Sequence, residues 1–187
     1  RMERAALCRQ VAHVPQQIPV DVPFTVEEVI LTGRLPHGHG LYESDADRAA
    51  LEEALAKTRL EEFRGRRFAT LSGGEKQRVL VAAAVCQQAP VLLLDEPGAH
   101  LDPENEAQLW ELLRDLRRGG HLILMVTHHL GLAAQNAERV WLLHRGRLAA
   151  DAPPCEAMRP EALERIFHVP FHWHQNEQGR VFLTYGR

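Results

Sequence analysis

Three features of the sequence predict an α/β fold with a mostly parallel sheet and a helical subdomain. Val91-Leu92-Leu93-Leu94 and Leu122 to Val126 are short, wholly apolar runs, the pattern of strands buried on both faces of a parallel sheet. Between them Leu109, Leu112, Leu113 and Leu116 recur at i, i+3, i+4 and i+7, the period of an amphipathic helix. Short connections join these segments, and strand–helix–strand alternation of this kind builds α/β sheets.

The elements follow in chain order. Val11 to Val14 reads as a strand stopped by Pro15 and followed by Gln16, after which Pro19 and Pro23 mark a loop. Thr25 caps a short helix carrying Val26, Val29, Ile30 and Gly33. Leu35 to Tyr42 is expected to be a loop on its glycines and proline. Ser44, with Asp47 three residues on, opens a second helix that sets Ala50, Leu51, Ala54 and Leu55 on one side. Residues 20–90 therefore read as mostly helical. After the strand at 91–94, Asp102-Pro103 begins the leucine-rich helix and Gly119-Gly120 ends it. Leu122 to Val126 is then expected to be a second buried strand. A helix near Gly131 to Asn136, a strand from Arg139 to His144 and a turn at Arg145-Gly146 come next. Beyond Pro153-Pro154 two short helices precede a hairpin of Phe171–Trp173 with Val181–Thr184 around Gly179.

Composition narrows the functional classes. A net charge of -3 argues against a broadly basic nucleic-acid-binding face. Cys8, Cys86 and Cys155 are odd in number, far apart and without C-x-x-C spacing, which predicts buried thiols in a reducing setting rather than a disulfide framework. No apolar run approaches the roughly 18 residues of a membrane-spanning helix, so a membrane role is expected to run through a partner. His37-Gly38-His39 and His172-Trp173-His174 are read as surface histidines, and Arg64, Arg66 and Arg67 as a solvated face.

Chemistry concentrates in three places. Asp95-Glu96 ends an apolar strand, and ligands of open α/β sheets bind at strand carboxyl ends. The Asp suits a Mg²⁺ ion beside phosphate oxygens, and the Glu suits a general base acting on water. Taken alone, the pair is equally a turn cap. Thr127-His128-His129 follows the next apolar run, where a single histidine is more often structural. Leu71-Ser72-Gly73-Gly74-Glu75-Lys76-Gln77-Arg78 is the third place. Ser72 and Glu75 form a capping box, an ordinary helix start. The double glycine goes further, because it lets backbone amides approach an anion at the positive end of a helix. Yet the lysines are Lys57 and Lys76, and neither lies in a Gly-x-x-x-x-Gly-Lys-Ser/Thr phosphate loop.

Together and in order, these residues resemble the ATP-binding subunit of ABC transporters. Leu71 to Glu75 is similar to the family's signature motif, Val91 to Glu96 to Walker B with its catalytic glutamate, and Gln16 to the Q-loop glutamine. Leu101-Asp102 matches the D-loop and His128 the switch histidine. Gly98, His129 and His13 stand where Thr or Ser, Asp and Tyr are common. The resemblance implies a P-loop NTPase-like ABC ATPase fold. It divides the chain into a helical signature subdomain at 20–90, a catalytic α/β core at 91–150, and terminal helices and a hairpin at 151–187. The family's Walker A loop and adenine-stacking aromatic precede the Q-loop, and neither occurs here, so the sequence is expected to be a fragment of a longer subunit.

That resemblance further implies ATP and Mg²⁺, with Glu96, His128 and Gln16 as catalytic residues and Asp95 and Gln16 at the metal. Ser72, Gly73, Gly74, Glu75 and Asp102 would contact nucleotide in a head-to-tail pair of subunits, a homodimer. The implied partners are transmembrane permease subunits and, indirectly, a substrate-binding protein, with no nucleic acid. The implied location is the cytoplasmic face of the inner membrane. Thr25 to Pro36, Ala99 to Pro103 and Leu163 to Pro170 look most like importers of iron–siderophore, haem or cobalamin complexes. The alternatives are a regulatory subunit without a P-loop and a soluble ABC-type ATPase. The short, heptad-free stretch between Gln16 and Leu71 disfavours the soluble form.

Overall fold

A computed structural model describes residues 3–16, 23–38, 44–99, 101–177 and 181–186. The loop expected around Pro19, the segment 39–43, His100 and the hairpin turn at Gly179 lie outside the described residues. The chain divides into two compact units, Arg1–Val126 and Thr127–Arg187.

In the first unit, helix α1 (Arg4–Cys8) leads into strand β1 (Val11–Val14), and helices α2 (Val26–Leu31), α3 (Asp45–Thr58) and α4 (Gly73–Cys86) follow. Strand β2 (Val91–Asp95), helix α5 (Pro103–Arg118) and strand β3 (Leu122–Val126) complete it. The three strands form a parallel sheet in the order β1-β2-β3. Side-chain caps set the helix starts: Thr25 with Glu28, Ser44 with Asp47, and Ser72 with Glu75 each form a full capping box, and Asp102 caps α5. The expected loop at Leu35 begins later than predicted. A 3-10 helix runs from Thr32 to His37 and holds Pro36 inside it.

The core gathers Leu92 and Leu94 of β2, the four leucines of α5 and the inner faces of α2, α3 and α4. Gly33 permits the closest approach, since a Cβ there would lie 2.1 Å from the carbonyl oxygen of Ala83 in α4. Next to it Arg34, almost buried, donates through Nε to Asp47 at 2.7 Å and through Nη1 to the carbonyl of Cys86 and to Gln88. This guanidinium holds the Asp47 carboxyl down at about 2, with help from the Ser44 cap. Arg64 is no solvated bystander: it binds Glu27 of α2 at 2.6 Å and Glu52 of α3 at 2.5 Å.

Two expectations need correction. β3 is not a buried strand, because Leu122, Leu124 and Val126 are 64%, 40% and 59% exposed. Among the described residues β3 has one strand neighbour, β2, so its apolar face lacks the two-sided cover that parallel strands ordinarily receive. The thiols also differ from one another. Cys86 is buried, which pushes its pKa up to about 11, whereas Cys155 is exposed.

The second unit contains helix α6 (Leu130–Asn136), strands β4 (Val140–His144) and β5 (Arg147–Ala152), helices α7 (Pro154–Ala157) and α8 (Pro160–Phe167), and strands β6 (Phe171–Gln175) and β7 (Val181–Tyr185). Its strands pair as two antiparallel hairpins, β4-β5 and β6-β7. Leu142, Met158, Leu163, Phe171 and Leu183 form its core, and Trp173 donates its indole N–H to the carbonyl of Met158 at 3.1 Å.

Candidate functional site

The parallel register brings three predicted residues to one edge of the sheet. Val14 pairs with Leu94, and Asp95 pairs with Val126. Pro15-Gln16 and Asp95-Glu96 therefore both leave the sheet at its carboxyl edge, where α/β folds place ligands. Gln16 is exposed, while Asp95 and Glu96 are half-buried. Glu96 has a left-handed backbone, φ 48°, and donates its N–H to the carbonyl of Val126 at 2.9 Å. A non-glycine residue in that conformation carries strain that the surrounding turn must hold, a common condition at functional positions. Buried Pro97 follows at once and fixes the chain's exit.

The second cluster is the start of α4. Ser72 N–H donates to Glu75 Oε2 at 2.7 Å, and Glu75 N–H donates to Ser72 Oγ at 3.3 Å. The bond from the Ser72 N–H, with lesser help from Arg66 and Arg78, holds the Glu75 carboxyl below its usual range. The two glycines differ. Nothing lies within 4 Å of a Cβ built on Gly73, but one built on Gly74 would fall 2.7 Å from Cγ of Asn105. Gly73 thus leaves backbone open to an incoming ligand, and Gly74 makes room for a neighbouring side chain. An exposed serine, an open glycine and the first-turn amides of a 14-residue helix fit a phosphate group. Asp95 offers the oxygen donor that a Mg²⁺ ion prefers.

Asp102 belongs with this second cluster. Its carboxylate accepts from the Asn105 main-chain N–H at 2.9 Å and from the Asn105 amide at 2.7 Å, and these bonds lower its pKa. Arg78, one turn along α4, donates to Asn105 at 3.1 Å and to Gln108 at 2.7 Å. Arg78, Asn105 and Gln108 were not among the predicted residues. The Asp-x-x-Asn spacing at 102–105, which places a second polar group under a cap, was the available signal.

His128 lies in the second unit. Its carbonyl accepts from Leu130 N–H at 3.0 Å, its ring centroid is 4.3 Å from that of His129, and His129 N–H donates to Thr127 Oγ1 at 3.1 Å. A threonine hydroxyl thus holds the main chain at His129, the residue that stands where the family commonly has Asp. His37 bonds the carbonyl of Gln87 at 2.8 Å, and His174 bonds Thr184. No group of three or more His, Cys, Asp and Glu with metal-binding geometry occurs among the described residues.

A family model described as ABC transporter matches residues 1–99, more than half of the sequence. The chain belongs to the ABC transporter family. Among curated relatives, the hemin import ATP-binding protein HmuV of Streptomyces coelicolor is 43% identical over 85% of this chain and 56% of its own length. The cobalamin import ATP-binding protein BtuD of Halobacterium salinarum is 37% identical over 89% of this chain and 42% of its own length. The chain thus spans about half the length of these relatives. An ABC transporter solved in an inward-facing conformation shares the fold at TM-score 0.88, with 24% identity over 95% of this chain and 72% of that one. No helix among the described residues is long and apolar enough to cross a membrane.

Proposed function

We propose that this chain is part of an ATP-binding, ATP-hydrolysing subunit that powers an ABC importer for haem, an iron–siderophore complex or cobalamin. The observation that carries the reading is the presence, in one unit, of strand-end Asp95-Glu96 and a Ser72-capped helix start open at Gly73. Glu96 orients the attacking water and takes its proton. Asp95 and Gln16 would hold Mg²⁺, which when bound neutralises charge on the phosphate oxygens. Ser72, Gly73 and Gly74 donate to the γ-phosphate held by a second, head-to-tail subunit, with Glu75 fixing the turn and Asp102 lying beside it. His128 contacts the γ-phosphate and stabilises charge that develops there. The helical region docks on the cytoplasmic side of permease subunits, served by a substrate-binding protein, which puts the subunit at the inner membrane's cytoplasmic face.

Relatives named for hemin and cobalamin import support the haem and cobalamin part of this substrate class, and the likeness of Thr25 to Pro36 and Leu163 to Pro170 supports the iron–siderophore part. The 187-residue chain by itself, without a Gly-x-x-x-x-Gly-Lys-Ser/Thr stretch, neither binds ATP tightly nor turns it over. The test is reconstitution of the intact subunit with its permease in vesicles. ATP-driven uptake of haem, a ferric siderophore or cobalamin is expected. Absence of ATP turnover in the assembled complex rejects the ATPase reading, whereas turnover that moves none of the three rejects the substrate class.

A further inference from the structure

Asn105 joins the two motifs that the proposed function assigns to a neighbouring subunit's nucleotide. Its main-chain and side-chain N–H groups occupy both carboxylate oxygens of Asp102. Its side-chain oxygen accepts from Arg78, whose guanidinium also reaches Gln108 from the same nitrogen. Gly74, within the signature turn, sits so close to the Asn105 amide that no Cβ fits between them. An amide suits this place on chemical grounds, because it donates to a carboxylate on one side and accepts from a guanidinium on the other. A carboxylate would repel Asp102, and an apolar side chain would remove one bond from each partner, leaving Asp102 its main-chain donor and Arg78 its bond to Gln108.

We propose that Asn105 is a positioning residue, clamped by Arg78, that fixes the signature turn Ser72–Gly74 and Asp102 to one another. The two motifs then meet a partner's nucleotide as one rigid piece. This inference rests on the reading of the chain as an ABC ATPase that works in head-to-tail pairs. Groups held in place before the transition state forms contribute to turnover without having to strengthen ground-state binding.

The test uses the intact subunit in its transporter. Asn105→Asp keeps the shape under Gly74 and the acceptor for Arg78, but it replaces the donor to Asp102 with a second carboxylate. The expected result is a loss of about tenfold in kcat, with the ATP affinity of the unpaired subunit and the thermal midpoint close to the parent's. Asn105→Ala, which only deletes atoms, should give the same split and guards against an aspartate variant that folds poorly. Because the two residues act as one unit, Arg78→Ala combined with Asn105→Ala should turn over no more slowly than the slower single variant. Parental kcat in both Asn105 variants overturns the inference, as do losses that multiply in the double variant or a loss that follows ATP affinity. A parent complex that does not hydrolyse ATP overturns the functional reading instead.

Discussion

The two halves of the candidate site are built by different means. Asp95-Glu96 is placed by backbone: sheet register, a left-handed turn and a buried proline set it at the end of a strand whose Leu92 and Leu94 are fully buried. The Ser72–Glu75 turn is placed by side chains. Its own capping box, Arg66 at 3.8 Å from Glu75, and Asn105 with Arg78 hold the first turn of α4, while Arg34 binds the carbonyl at its far end. The first half should therefore fail through loss of core packing. The second should fail through loss of polar partners, and its failure should depend on pH.

The largest effect is expected at the far end of α4. Asp47→Ala leaves the Arg34 charge buried without its carboxylate and should cost about 3–5 kcal/mol in urea denaturation. The pH dependence has a definite sign. The Asp47 carboxyl is depressed to about 2 in the fold, so its contribution is complete above the ordinary aspartate range near pH 4. It is lost as pH falls toward 2, so the stability gap between parent and Asp47→Asn should be full above about pH 4 and should close through that window in an acid titration.

Leu94→Ala tests the backbone-placed half and should cost about 2–5 kcal/mol, since it empties volume beside the acid pair. Ser72→Ala removes one cap oxygen from the side-chain-placed half and should cost about 1 kcal/mol by thermal denaturation. Leu124→Ala, on the open face of β3, should change stability by no more than about 0.5 kcal/mol. A cost near that of Leu94→Ala would show that the face is covered.

Much of this was legible in the sequence because local rules and the fold agree. The caps at Thr25, Ser44, Ser72 and Asp102, the periodic leucines of α5 and the apolar run of β2 all sit where their chemistry requires. β2 and β3 also show where reading stops. Both are continuous apolar runs, but burial depends on how many strands and helices surround them, which composition does not encode. The polar network was hidden for a similar reason. Arg78 and Asn105 lie 27 positions apart and meet only because α4 packs on α5. Gly74 looked like its neighbour Gly73 until the structure put Asn105 over it.

The central claim is that Glu96, at the end of β2, is the base for ATP hydrolysis in the intact subunit. Glu96→Gln keeps the shape and removes the basic oxygen, so the decisive measurement is its steady-state ATP turnover and its association state with ATP. The account predicts turnover lowered by about 100-fold or more and a stable ATP-bound pair of subunits. Turnover at the parental rate would contradict it.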